Sequence, residues 1–328
     1  MTDWEQLDMA AGLITVFGGS GFVGRHLVRA LAKRGWRVRV AVRRPDLAGH
    51  LQPMGGVGQI HAVQANVRNR ASVARAIAGA DAVVNLVGIL SESGRNTFAA
   101  VQAAGARTIA EETARAGITR FVHMSALAVG AAANSDYAAS KAYGEAAVLA
   151  SVPTAVVVRS SLIFGPEDGF FNRFASLSRF SPVIPLIGGG ETRFQPVYVG
   201  DVAEALVAAV EGRARAGTVY ELGGPQVASF KALIDYILKV TGRTRLPVSI
   251  PFWAARLKAS VLQILPNPPL TVDQVELLKS DSVVSDEAER EGRTLDGLGI
   301  DPTAYESIVP GYLYRFREHG QFEKMPVA

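Results

Sequence analysis

The chain has 328 residues, 48% of them hydrophobic and 20% charged, with 33 glycines, 16 prolines and no cysteine. A chain of this length and apolarity buries one large core or two unequal ones and is not disordered, while the missing cysteine excludes a disulfide scaffold, a cysteine-ligated zinc site and a thiol nucleophile. The 34 basic residues are interspersed with 30 acidic ones for a net charge of +4, which speaks against a surface for nucleic acid.

Residues 1–12 form an N-terminal extension with Asp3, Glu5 and Asp8 and no basic residue, unlike the start of a secretory signal. No stretch reaches the roughly 18 uninterrupted apolar residues of a bilayer span. Strands are expected at Leu13–Phe17, Arg37–Val42, Gln59–Gln64, Ala82–Leu86, Phe121–Ser125 and Thr154–Val158. Helices are expected at Gly21–Arg34, Ser72–Ala78, Thr97–Ala116 and Tyr137–Ala150. This alternation predicts an α/β fold, a doubly wound parallel sheet covered on both faces, over residues 13–165. Residues 166–328 are richer in proline and glycine and are expected to form a smaller C-terminal α/β lobe, interleaved with the first domain and available for partner docking. Its helices fall at Val202–Val210, Phe230–Thr241 and Trp253–Leu265, and Ile184–Gly190 reads as a long loop.

Gly18, Gly21 and Gly24 stand in a G-x-x-G-x-x-G pattern directly after the first strand and at the opening of the first helix. A glycine turn in that position lets backbone N–H groups approach a pyrophosphate on the positive end of a helix dipole, so Gly18, Ser20, Gly21, Phe22, Val23 and Gly24 are expected to hold a dinucleotide. An NAD site of this kind usually carries an acid about 20 residues further on, for the ribose 2′-hydroxyl. Here Val42-Arg43-Arg44 occupies the place, and an Arg43–Arg44 fork suits the 2′-phosphate of NADP(H) instead. Asn66 and Val67 after the third strand, and Leu86, Val87 and Gly88 after the fourth, are expected to line the same cofactor. Ser160 and Leu162, beyond the sixth strand, complete the expected lining.

Ser125 closes the fifth strand, and Tyr137 and Lys141 follow at helical i, i+4 spacing. A lysine on the same helix face could lower the phenol pKa from about 10 and let it exchange a proton near neutral pH, with Ser125 holding a substrate oxygen. The plainer reading is a surface Tyr and Lys on an alanine-rich helix. His26, His50, His61, His123 and His319 lie far apart, so no metal site is proposed, and His123 reads as a packed core residue.

These residues resemble the short-chain dehydrogenase/reductase superfamily in its extended, epimerase-like branch. Gly18 to Gly24, Ser125, Tyr137 and Lys141 match its cofactor motif and its serine, tyrosine and lysine, whereas Ala126 stands where a hydroxyl residue usually follows. Four further segments, Ser161–Asp168, Phe174–Leu186, Gln195–Val202 and Leu246–Phe252, resemble the NADPH-binding accessory subunits of respiratory complex I, NADH:ubiquinone oxidoreductase. The resemblance runs from about residue 12 to about residue 315. It implies a structural, non-catalytic NADPH with Ser125, Tyr137 and Lys141 as vestigial or residual groups, and other complex I subunits near the quinone-binding junction as partners. It also implies a peripheral position on the cytoplasmic face of a bacterial inner membrane, with no nucleic acid involved. Two other readings stand beside it: a free NADP-dependent reductase or epimerase using Tyr137 and Lys141, and a redox sensor binding NADP(H).

In the last third, Phe252, Trp253, Leu257, Val261, Leu262 and Leu265 recur at roughly helical spacing with Arg256 and Lys258 flanking them. Such a segment, 251–265, suits a membrane interface or another subunit as well as it suits the protein's own core.

Overall fold

The computed structural model describes residues 12–130, 134–265 and 268–318; most of the N-terminal extension, and His319, lie outside them. Six strands, β1 (Leu13–Phe17), β2 (Arg37–Val42), β3 (Ile60–Gln64), β4 (Ala82–Asn85), β5 (Arg120–Ala126) and β6 (Val156–Ser160), alternate with helices α1 (Phe22–Lys33), α2 (Arg70–Ile77), α3 (Ala104–Arg115) and α4 (Asp136–Ser151). Downstream come β7 (Ile163–Phe164), α5 (Phe171–Phe180), β8 (Val183–Ile187), β9 (Arg193–Phe194), β10 (Val197–Tyr198) and α6 (Val199–Val210). They are followed by β11 (Val219–Leu222), β12 (Ala228–Ser229), α7 (Phe230–Thr241), β13 (Leu246–Ile250), α8 (Phe252–Leu262) and α9 (Val272–Leu277).

The main sheet runs β11-β6-β5-β4-β1-β2-β3, and all its pairs are parallel. Strand period decides why it is buried on both sides. Ile14, Val16, Val38, Val40, Val122 and Val158 face a core shared with Leu27 and Leu31 of α1 and Val202 and Leu206 of α6. Phe17, Val83, Phe121 and Val157 face the opposite core, with Val73, Ile109 and Val148 of α2, α3 and α4. The strand order reverses between β1 and β4, whose carboxyl ends meet with Phe17 opposite Asn85. Ligands bind at such a switch point in open parallel sheets.

The lobe interleaves with this sheet through β11, which pairs β6, and through α6, which packs on α1. Its own core is aromatic: Phe164, Phe171, Phe230 and Tyr312 are buried together, with Phe170, Phe174 and Tyr305 packed against them. Asp168 pins the turn after β7, accepting the Tyr312 hydroxyl at 2.5 Å and the backbone N–H of Phe170 at 2.9 Å.

Three expectations are corrected. Residues 184–187 are not loop but most of β8, which pairs in parallel with β13, because Ile184 and Leu186 bury against the aromatic core; only Gly188–Gly190 turns. Residues 97–116 are not one regular helix: Ala99–Ala103 form a π-helical turn before α3. The sixth strand lies at Val156–Ser160 rather than Thr154–Val158, because its pairing with Val122–Ala126 of β5 extends through Ser160.

Candidate functional site

A cleft of about 290 Å³ opens at the switch point, lined by Gly18, Ser20 and Gly21 after β1, Ala41, Val42 and Arg43 at the end of β2, Ala65–Arg68 after β3 and Leu86–Ile89 after β4, with Asn96 and Val101 beyond. Gly18 adopts φ +79, and a Cβ there would stand 3.2 Å from the Leu86 carbonyl carbon, so β1 and β4 meet across a residue with no side chain. Gly21 caps α1 without any side-chain hydrogen bond, which leaves the first-turn amides available to an anion. The residues present fit a dinucleotide: a glycine turn on a helix N-terminus for the pyrophosphate and two arginines at one end.

The expected Arg43–Arg44 pair is placed on two sides of the turn after β2. Arg43 lines the cleft, but Arg44 is ion-paired with Asp46 at 2.8 Å and is absent from the lining. Asp46 lies three residues past Arg43 on the turn after β2, and both partners of its pair with Arg44 are exposed. Arg68, which sequence reasoning missed, also lines the cleft, and its Nη1 donates to the Arg95 carbonyl at 2.8 Å. The available signal was its position two residues after Asn66, whose Oδ1 accepts the Arg68 N–H at 3.0 Å in a tight turn. Phe22, Val23 and Gly24 lie behind the lining in the first turn of α1. Ser160 ends β6 as a buried residue, and Leu162 packs on the aromatic core.

Of the expected Ser, Tyr and Lys, none lines the cleft itself, and Lys141 approaches its wall at Gly88. Lys141 is buried, donates to the Met124 carbonyl at 3.0 Å, and stands 3.5 Å from where a Cβ on Gly88 would be. The Ser125 hydroxyl and the Gln102 side-chain oxygen are buried without partners. Tyr137 packs edge-on against Phe98 with ring centroids 5.8 Å apart. Burial, and then the Asp273 carboxylate, push the Tyr137 phenol up to about 12, opposite to the lowering expected from Lys141. Asp273, on α9, accepts the Ser135 hydroxyl at 3.0 Å and the Tyr137 N–H at 3.3 Å. The phenol therefore stays protonated near neutral pH and is poorly poised as a base. His123 is core, as expected: desolvation, and then Lys141, push it down to about 3, and its Nδ1 is 3.1 Å from the Asn85 amide nitrogen.

Burial lowers Lys141 to about 8 against a partial offset from Glu145. Glu145 is itself engaged by Arg159 at 2.7 Å, with Glu221 3.8 Å from the same guanidinium, so it neutralises Lys141 only weakly. Between about pH 8 and 10.5 the unfolded chain holds a proton that the folded chain has released, so stability rises with pH across that window, and below it the cost is carried in full. Lys141→Met is therefore expected to stabilise the ligand-free protein at pH 7 by up to roughly 3 kcal/mol and to flatten that rise. Chemical denaturation of both chains from pH 7 to 10.5 checks it; parallel curves would mean that Lys141 is already satisfied.

The chain belongs to the NAD dependent epimerase/dehydratase family, whose pattern matches residues 14–223. More particularly, it is similar to the mitochondrial NADH dehydrogenase (ubiquinone) 1 alpha subcomplex subunit 9 of Arabidopsis thaliana, 33% identical over 322 residues that cover 93% of this chain and 78% of that one. The subunit of the same name from Mus musculus is 33% identical over 296 residues, covering 89% and 77%. The fold matches the dTDP-glucose 4,6-dehydratase of Streptomyces venezuelae solved with NAD and TYD bound, with a TM-score of 0.70 at 20% identity over 93% of this chain and 96% of that one.

Proposed function

We propose that the chain is an accessory subunit of a respiratory complex I that carries NADPH as a permanent structural nucleotide. The observation that carries this reading is the similarity to alpha subcomplex subunit 9, which spans both the nucleotide domain and the lobe. The cleft supports a nucleotide, and Arg43 with Arg68 supports its 2′-phosphate. A ligand that binds only the folded state stabilises it in proportion to the logarithm of its concentration over Kd, so a tightly held nucleotide acts as a strut without turnover. Ala126, standing where the extended enzymes usually carry a hydroxyl residue, favours that structural role over hydride chemistry.

The docking part of the proposal rests on α8. This helix buries Ala255 and Ala259 and turns its large residues outward, with Trp253 73%, Leu257 66% and Val261 64% exposed. The helix covers a small core through Phe252, Ala255 and Ala259, and its exposed Trp253, Leu257 and Val261 form an apolar face that this core does not use. Its exposed face, with Arg256 and Lys258, suits the junction of a peripheral and a membrane arm, on the cytoplasmic side in a bacterium. Among the described residues no helix is long and apolar enough to cross a membrane.

The test is purification of the tagged chain from membranes in mild detergent, with mass spectrometry of its partners and analysis of the released nucleotide. Recovery of complex I subunits with one NADPH per chain is the expected result; a lone protein with exchangeable nucleotide overturns it. Trp253→Glu with Leu257→Glu is expected to reduce co-purifying subunits about tenfold or more, the loss of a central hot-spot pair, while leaving bound nucleotide unchanged.

A further inference from the structure

We propose that Gln102 is a ligand-binding residue, its side-chain oxygen accepting a hydrogen bond from a hydroxyl of the sugar at the nicotinamide end of the bound dinucleotide. The proposal rests on the nucleotide reading above and adds a residue that no part of the nucleotide pattern contains.

Three observations meet at this side chain. Gln102 sits in the π-helical turn Ala99–Ala103, which also carries Val101 into the cleft lining. Single π-turns inside helices are uncommon and recur at functional sites, because widening the turn re-aims a side chain at the expense of regular hydrogen bonding. The side chain is 2% exposed, and its Nε2 donates to the Ile89 carbonyl at 3.3 Å. Since a carbonyl only accepts, that contact fixes the amide orientation and makes the other end the oxygen. That oxygen has no donor at all. A buried acceptor without a donor is rare in a folded protein, and one beside a cleft points to a ligand.

The neighbours define the ligand's chemistry. A Cβ on Gly88, in the cleft wall, would lie 3.8 Å from the Gln102 oxygen and 3.5 Å from the Lys141 ammonium. Lys141 uses one of its protons on the Met124 carbonyl, and the Ser125 hydroxyl is unpartnered. An acceptor and a donor flanking one glycine, with a free hydroxyl on the strand that carries Met124, match a neutral polyol whose hydroxyls both give and take hydrogen bonds. A phosphate or carboxylate would meet the Gln102 oxygen as acceptor against acceptor. The inner ribose of a dinucleotide is such a polyol.

Calorimetric titration of the full chain, freed of any nucleotide it carries, with NADPH and with adenosine 2′,5′-bisphosphate, which lacks the inner sugar, tests the assignment. Gln102→Met keeps the bulk and removes the acceptor; it is expected to weaken NADPH about tenfold, the loss of one buried hydrogen bond, and to leave the bisphosphate within about twofold. Gln102→Leu removes the same acceptor and is expected to weaken NADPH to the same extent as Gln102→Met. The ligand-free melting midpoint of each variant reports folding. Equal weakening of both ligands, or no weakening of either, overturns the role of Gln102. Failure of the unmodified chain to bind either ligand overturns the nucleotide reading instead.

Discussion

Replacing Arg43 and Arg68 together by glutamate is expected to weaken NADPH binding by about a hundredfold or more and NADH binding by less than about threefold, since charge-assisted hydrogen bonds to a phosphate contribute roughly 1.5–3 kcal/mol each. Both residues line the cleft, on the turns after β2 and β3, whereas Arg44 is held by Asp46. Arg44→Glu alone is therefore expected to change NADPH affinity by no more than about twofold, the size of an exposed ion-pair effect. Fluorescence titration with the two nucleotides checks the contrast. If the double variant weakens both nucleotides equally, the arginines grip something other than the 2′-phosphate; if Arg44→Glu is as damaging as the double variant, the Arg43–Arg44 fork is the true site.

Gly24→Ala is expected to cost about 3 kcal/mol or more of stability and to abolish nucleotide binding, as overpacking against backbone does when nothing can yield. A Cβ at Gly24 would sit 2.4 Å from the Gly18 carbonyl oxygen and 2.6 Å from the Gly19 carbonyl carbon, both in the turn that cradles the pyrophosphate. Helix α1 would have to lift away from its own binding turn. Gly35→Ala is the control: its φ of +80 strains an alanine, but nothing lies within 4 Å, so the expected cost is only about 1 kcal/mol and nucleotide binding persists. Thermal melts with and without NADPH separate the two. Equal melting temperatures for the two variants would mean that the close approach of α1 to the glycine turn is not limiting.

The parts legible in the sequence were those set by local periodicity. Short apolar runs mark β1, β2, β5 and β6 because a sheet covered on both faces buries side chains of either parity, and the glycine turn announces itself because only glycine fits between β1 and α1. Phe230–Thr241 came out with its observed bounds because Ser229 caps its start and Gly242, in the left-handed conformation, ends it. Where two signals compete, the sequence is ambiguous. Val183–Ile187 is short and carries Pro185, and it becomes a strand only because β13, some 60 residues later, pairs with it.

Long-range contacts also decided the site. The sequence determined a doubly wound fold with a dinucleotide turn, a Ser-Tyr-Lys set and a basic end to β2, since each of these is a property of neighbours along the chain. Only the tertiary structure decided which arginines share the cleft, because Arg43 and Arg68 are brought together by the parallel pairing of β2 and β3. It also raised the Tyr137 phenol, because burial, and then the Asp273 carboxylate brought from α9, 136 residues away, disfavour its charged form. Likewise the outward face of α8 depends on what α9 covers, and helical spacing alone gives a stripe without saying which side is buried. Burial and electrostatics are sums over everything within a few ångströms, and most of those neighbours are distant in sequence.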